Sequence, residues 1–298
     1  MDVNFELYKI FYYAAETGNF SSAAAKLFIS QSAVSQAVKN LEEKLGTTLF
    51  LRKSRSVHLT REGEMLFKHI EQAFNFIKTG ESKLLEMQNM ETGEIRIGVG
   101  DTICKYFLIP CLEKYILQHP RIKIQVFNRT TFQILNSLRS GSIDIGIVTL
   151  PVNDDSVLVE ELISVEDIFV ACNKFSELKG RKLSLQELSQ YPLLMLEKNS
   201  ATRRNTENFF KMHNIVISPE LELESIDLLV DFARIGLGIA HVLKESANSL
   251  IVEGELFVVN TIDPLPTRNL GIATMKNVPL SKASSTFIGL LKNICSTF

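Results

Sequence analysis

The stretch from Ser30 to Leu45 constrains this chain most, because its residues sort cleanly onto two faces of one helix. Val34, Ala37, Val38, Leu41 and Leu45 recur at the 3-4 spacing of an inward-facing stripe. Ser32, Ser35, Gln36 and Lys39 take the other side, with Gln31 in the first turn. Ser30 is a good N-cap and Gly46 a natural stop. The outer face is short and hydrogen-bonding, and its acids, Glu42 and Glu43, stay at the C-terminal end. A helix that enters a major groove about 12 Å wide needs this distribution: small donors and acceptors in front, negative charge kept from phosphates. Taken alone, a solvated helix surface would look the same.

The flanks favour the groove reading. Leu7, Ile10, Phe11, Ala14 and Ala15 mark a first helix that Gly18 stops, and Ser22–Leu27 reads as a short alanine-rich second helix. Phe28-Ile29 makes a tight connection to the third. After Gly46, residues 49–59 read as two short strands around a basic tip. From Gly46 to Arg61 the charged residues are Arg52, Lys53, Arg55 and Arg61, with no Asp or Glu. Arg52, Lys53 and Arg55 suit phosphates, and an arginine here can enter a minor groove. A basic hairpin directly after such a helix is a winged helix-turn-helix.

Thr60 then caps a helical pattern running to about Thr92, with Glu62 and Glu64 in its first turn. Phe67, Ile70, Phe74 and Ile77 follow at alternating 3-4 spacing, continuing to Leu84. This seam predicts dimerisation, which would pair two recognition helices on a two-fold site. A helix packed on its own chain's core is the competing reading.

From Gly93 the pattern changes to short apolar strands (94–100, 122–127, 143–148, 168–172, 193–196, 238–242) alternating with helices. That alternation predicts α/β units on mainly parallel sheets. Leu138–Ile147 and Phe232–Ala240 echo one another as helix, glycine turn and strand, which suggests two similar lobes enclosing a ligand cleft. Gly98-Val99-Gly100 lacks the third glycine of a dinucleotide loop, Ile103 standing in its place. No HExxH, P-loop or GxSxG motif occurs, and His58, His69, His119, His213 and His241 are isolated, so no enzyme chemistry, cofactor or metal is expected. Cys104, Cys111, Cys172 and Cys295 lack paired zinc spacing and read as small apolar residues.

A net charge of −2 argues against a protein that coats nucleic acid indiscriminately, though it leaves room for a local basic patch. The N-terminus, Met1-Asp2-Val3-Asn4, lacks a basic segment leading into an apolar stretch, and no apolar run reaches membrane-spanning length. A cytoplasmic protein without a membrane partner is expected. An enzyme or transport-type binding protein with an accessory DNA-like domain is disfavoured by the missing catalytic constellation. A purely architectural DNA binder would not need so large an α/β portion.

Residues 11–24 and 29–42, continued by Leu49-Phe50-Leu51-Arg52 and Leu59-Thr60-Arg61-Glu62-Gly63, closely resemble the LysR-type transcriptional regulators. The C-terminal half matches more loosely through Ile143–Ile147 and Gly236–Ala240. The resemblance implies an α/β protein overall. Residues 1–60 would form an all-α winged helix-turn-helix and residues 61–92 a linker and dimerisation helix. Residues 93–298 would form two Rossmann-like, periplasmic-binding-protein-like lobes (93–163 with 268–298, and 164–267). It further implies a bacterial homotetramer whose bending of promoter DNA a metabolite alters, with promoter DNA, the effector, further copies of itself and RNA polymerase as partners.

In the matching family positions, Gln31, Ser32, Ser35 and Gln36 reach bases, and a wing arginine, Arg55 or Arg52, enters the minor groove. The family commonly carries arginine at the position of Gln36; glutamine there favours adenine over guanine. The implied effector positions are Thr102, Thr130 or Thr131, the loop of Ser200, Thr202 and Arg203, and Ser225. Hydroxyls and helix N-termini suit a small anion, with Arg129 and Arg203 as charge partners. Thr102 and Ser225 equally suit plain helix caps.

Overall fold

The computed structural model describes residues 3–53, 56–88 and 93–295. The main division of the chain falls between Ser82 and Lys83. In the first unit, α1 (Phe5–Thr17), α2 (Phe20–Leu27) and α3 (Gln31–Leu45) close around Phe11, Ala14, Ala23, Val34, Val38 and Leu41. The second helix begins two residues before the expected Ser22, because the Asn19 side chain accepts from the Ser21 and Ser22 N–H groups and the Phe20 ring is buried. An antiparallel hairpin follows, β1 (Phe50–Lys53) with β2 (Ser56–Leu59), placing Arg52 opposite Val57. Helix α4 (Arg61–Gln88) starts after Thr60, whose Oγ1 accepts from Gly63 N at 3.0 Å. The expected end of this helix, near Thr92, lies outside the described residues.

The seam on α4 is used differently from the expectation. The Tyr12 ring of α1 stacks on Phe67 and Phe74, with centroids 5.7 and 4.9 Å away, and Phe5 stacks on Phe74 at 5.4 Å. Ile70 packs against the same core. Phe74 is therefore buried within the chain, Phe67 and Ile70 are half-buried, and Ile77 is exposed. Periodicity shows that a stripe is buried without showing by what, and the aromatics of α1 supply the partner here.

In the second unit the chain builds most of one lobe, then a second, and returns. The first lobe holds β3 (Gly93–Val99), α5 (Asp101–Ile103), a π turn (Cys104–Leu108), α6 (Ile109–Gln118), β4 (Ile122–Asn128), α7 (Thr131–Arg139), β5 (Ile145–Thr149) and β6 (Val157–Val165). The second holds β7 (Asp167–Cys172), a 3-10 stretch (Asn173–Leu178), β8 (Lys182–Leu183), α8 (Leu185–Leu188), β9 (Leu193–Leu196) and α9 (Ala201–Met212). It continues with β10 (Leu221–Leu223), α10 (Ile226–Arg234), β11 (Ile239–Leu243), α11 (Lys244–Val252) and β12 (Leu256–Thr261). β13 (Arg268–Met275) and α12 (Lys282–Cys295) rejoin the first lobe.

The first sheet has the order β4-β3-β5-β13-β6 and the second β10-β9-β11-β7-β12-β8. Neither is wholly parallel. β13 runs antiparallel to β5 and β6, and β7 antiparallel to β11 and β12. Both reversed strands follow a crossing between lobes, so they enter their sheet from the opposite end. On the first sheet Ile95, Ile97 and Val99 face α6 and α12, while Ile134 and Leu138 of α7 cover the other side. α7 comes so close that a Cβ on Gly146 would lie 2.4 Å from Ile134 Cγ2, which gives the glycine of Ile145-Gly146-Ile147 a steric reason. The π turn breaks the helical register between Cys104 and Cys111, leaving Cys104 half-buried and Cys111 fully buried.

Candidate DNA-binding surface and effector cleft

α3 keeps Val34, Val38 and Leu41 wholly buried, and this inward stripe fixes what faces out. Gln31, Ser32, Gln36 and Lys39 are exposed and Ser35 is half-buried. Ser30 Oγ accepts from Ala33 N at 3.2 Å, which seats the first turn. Lys39 makes only a loose, exposed ion pair with Glu43, 3.6 Å away. Glu42, expected to be a surface acid, instead ties the helix to the wing: its Oε1 accepts from Leu49 N at 2.7 Å and Phe50 N at 3.1 Å. Its spacing from the hairpin gave no hint of this, because a carboxylate capping strand N–H groups leaves no periodic trace. Arg52 and Lys53 lie on β1, and Arg55 lies outside the described residues.

The second unit has a cleft of about 420 Å³ between its lobes. The first lobe contributes Asp101, Thr102, Arg129, Thr130 and Thr131, and the second contributes Glu197, Ser200, Thr202, Arg204 and Glu224. Thr130 and Gln133 cap α7 reciprocally: Thr130 N donates to Gln133 Oε1 at 3.0 Å, and Gln133 N to Thr130 Oγ1 at 3.4 Å. Thr131 Oγ1 accepts from Thr149 N at 3.3 Å, and Ser200 Oγ from Arg203 N at 3.5 Å. The exposed guanidiniums of Arg129 and Arg204 each donate once to a backbone carbonyl, that of Asn128 at 3.1 Å and that of Asn199 at 2.7 Å. Each guanidinium carries five N–H donors, so both retain donor capacity beyond these bonds.

Two expected effector residues do other work. Arg203 is 1% exposed and absent from the cleft lining. Its guanidinium donates to Leu196 O (2.9 Å), Glu207 Oε1 (2.9 Å) and Glu222 Oε1 (3.3 Å). Successive helical residues point about 100° apart, so Arg204 faces the cleft where Arg203 cannot. Ser225 caps α10, accepting from Leu228 N at 3.5 Å, and its neighbour Glu224 lines the cleft in its stead.

The structure adds residues that the sequence did not single out. Arg268, buried where the chain crosses back, lines the cleft and forms a two-bond ion pair with Asp167 at the first crossing, one arm being Nη2 to Oδ1 at 2.8 Å. Across the lobes, Asp227 of α10 accepts from Lys105 Nζ (2.8 Å) and Tyr106 OH (2.7 Å) of the π turn. Burial pushes the Asp227 carboxyl upward, but the bonds from Lys105 and Tyr106 outweigh it and hold it below the ordinary range. His241 is completely buried on β11, with Nε2 3.1 Å from Thr206 Oγ1 and Nδ1 unpartnered. Desolvation by burial lowers its pKa to about 4; Asp167 opposes this, and Arg268 and Arg203 reinforce it. Among the described residues no group of His, Cys, Asp and Glu could hold a metal ion, and no helix is long and apolar enough to cross a membrane.

A winged helix-turn-helix joined to a two-lobed domain with a polar cleft defines a ligand-responsive DNA-binding protein. Residues 5–64 match the bacterial regulatory helix-turn-helix family, lysR type, and residues 88–296 match the LysR substrate binding domain. The chain is 27% identical to the HTH-type transcriptional activator CmpR of Synechocystis, over 95% of this chain and 93% of that one. It is 30% identical to the probable RuBisCO transcriptional regulator of Cyanidium caldarium, over 93% and 90%. Similar solved structures are ArgP from Mycobacterium tuberculosis (TM-score 0.74, 18% identity, 99% and 98% covered) and full-length CbnR complexed with its target DNA (0.69, 16%, 98% and 99%). The chain belongs to the LysR family: it is a DNA-binding transcriptional regulator with an effector-binding domain, and its relatives are regulators rather than enzymes.

Proposed function

We propose that this regulator works as a cytoplasmic bacterial homotetramer that reads promoter DNA through paired α3 helices and acts on RNA polymerase there. A small anion in the cleft alters how it holds or bends that DNA. One observation carries the DNA-reading assignment: α3 buries Val34, Val38 and Leu41 completely while Gln31, Ser32, Gln36 and Lys39 stand exposed on its other side. Arg52, Lys53 and Arg55 of the wing supply phosphate or minor-groove contacts. Ile77 and Leu84 remain exposed along α4, which supports pairing of that helix with a second copy beyond the stretch buried against α1.

Arg129 and Arg204 support an anionic effector, and the cleft volume suits a small metabolite. Asp101, Glu197 and Glu224 in the same lining sharpen that reading. The anion should also carry hydrogen-bond donors or a positive group, since a bare polyanion would meet carboxylates.

The test is affinity for an operator duplex selected by the wild-type full chain from a random-sequence pool. Ser35→Ala with Gln36→Ala should weaken binding by about 30-fold, the equivalent of roughly 2 kcal/mol for a lost base contact. Undiminished sequence-specific binding in the double variant would remove α3 from the role of reader.

A further inference from the structure

Each of the helices α1, α2 and α3 ends on a residue in the left-handed region. α1 ends at Gly18 (φ 61°) and α3 at Gly46 (φ 67°), whereas α2 ends at Phe28 (φ 56°). Around Phe28 the turn is closed in the usual way: Phe28 N donates to the Ala25 carbonyl at 3.3 Å, and Ile29 N to the Ala24 carbonyl at 3.1 Å. Glycine fills such a position without steric cost, and a side chain with a Cβ does not. The Phe28 ring recovers nothing from the folded chain. It is 96% exposed, the most exposed large apolar side chain among the described residues, and it belongs to none of their core clusters. A bulky ring that breaks a backbone rule and a burial rule together, with no return inside the chain, indicates a contact outside it.

Its position says which contact. Phe28 lies three residues before Gln31, so the two Cα atoms are within about 10 Å. Every residue from Phe28 to Ala33 is exposed, so the ring shares a surface with the N-terminal end of the recognition helix. Duplex DNA offers apolar groups there, thymine methyls on the groove floor and deoxyribose C–H faces on its wall. We propose that Phe28 is a DNA contact of this regulator, its ring packing on the apolar surface of the duplex at the edge of the α3 footprint. The proposal rests on α3 being the reading helix.

The test uses the full chain and the selected operator duplex. Phe28→Asn removes the ring while keeping a residue that tolerates the left-handed region. Its Tm should be unchanged or higher, and its operator affinity should fall about tenfold. The slope of log Kobs against log salt should stay at the wild-type value, because no phosphate contact is lost. Phe28→Tyr should retain most of the affinity. Replacing operator thymines singly with uracil locates the contact: a position that costs the wild type affinity but costs Phe28→Asn none is the methyl partner, and the lack of one assigns the ring to deoxyribose.

Wild-type affinity in Phe28→Asn would overturn the proposal. So would a flattened salt slope, or unchanged affinity together with smaller assemblies in sedimentation, which would hand the ring to a second copy of the chain. If Ser35→Ala with Gln36→Ala also leaves binding intact, the reading of α3 itself has failed. If only Phe28→Asn is silent, Phe28 alone has.

Discussion

The recognition surface and the effector cleft face the same task, displaying polar side chains to a ligand, and the chain builds them by opposite routes. The α3 surface comes from nine consecutive positions, Gln31 to Lys39, whose directions follow from one helical period. The cleft draws on residues from Gly100 to Leu270, gathered by two sheets and a double crossing. In the first region a residue's neighbours in sequence decide where it points. In the second they decide only which element it sits on, and the topology decides the rest. The Arg203-Arg204 pair shows the consequence: adjacent residues of one type, one locked in the lobe and one lining the cleft.

That pair offers the sharpest test. Arg203→Met removes a buried cation from two carboxylates and a carbonyl. With Glu207 and Glu222 partly exposed, the cost should fall at the low end for a broken buried pair, about 3 kcal/mol. For a unit of this size the Tm should drop by on the order of 6–12 °C. Arg204→Met should leave Tm unchanged. In a thermal-shift screen of small anionic metabolites, compounds that stabilise the wild type should still stabilise Arg203→Met and fail with Arg204→Met. The reverse pattern would restore Arg203 to the cleft and undo the contrast between the two regions.

The contrast also explains what could be read from the amino-acid sequence. The helix-turn-helix and its wing were legible because amphipathic spacing, the caps at Ser30 and Gly46, and the run of cations from Arg52 all act locally. In the α/β portion Thr102, Thr130, Thr131, Ser200 and Thr202 were placed by family resemblance, and the cleft does include them. Arg268 and Asp227 were invisible, because each matters through a partner on a different element, Asp167 for one and Lys105 with Tyr106 for the other. The seam on α4 was legible as a stripe but not as a set of contacts: Phe67, Ile70 and Phe74 have the period of a partner-facing seam, and α1 of the same chain packs against them.

His241 extends the comparison to acid. It sits in the second lobe's sheet, near Asp167, Arg268 and Arg203, with Thr206 of α9 as its hydrogen-bond partner. Folding holds the ring neutral, with a pKa near 4 against 6.5 when unfolded, so the unfolded chain binds the extra proton between those values. Stability from this residue is therefore complete above about pH 6.5 and is lost as the pH falls toward 4. The loss should amount to about 2 kcal/mol by pH 5. His241→Phe, with Phe169 already 5.0 Å from the ring, should flatten that limb in the thermal transition of the effector unit while leaving the helix-turn-helix transition as it was. Identical acid limbs in both proteins would mean that the buried ring is not what acid attacks.

The smallest effect belongs to Ser225, where a hydroxyl could serve either a ligand or a helix end. Its Oγ accepts from Leu228 N at 3.5 Å, a long cap bond, and the cleft lining passes through Glu224 instead. Ser225→Ala should then cost only about 0.5 kcal/mol, the low end for a lost cap, and leave effector affinity within twofold of wild type. Thr102→Ala is the matched control. Thr102 lines the cleft, so losing its hydroxyl should cost effector affinity, roughly tenfold for one lost ligand hydrogen bond, with little change in Tm. If Ser225→Ala weakens the effector as much as Thr102→Ala does, the boundary of the cleft runs through α10's cap. The division between capping and binding hydroxyls would then have to be redrawn.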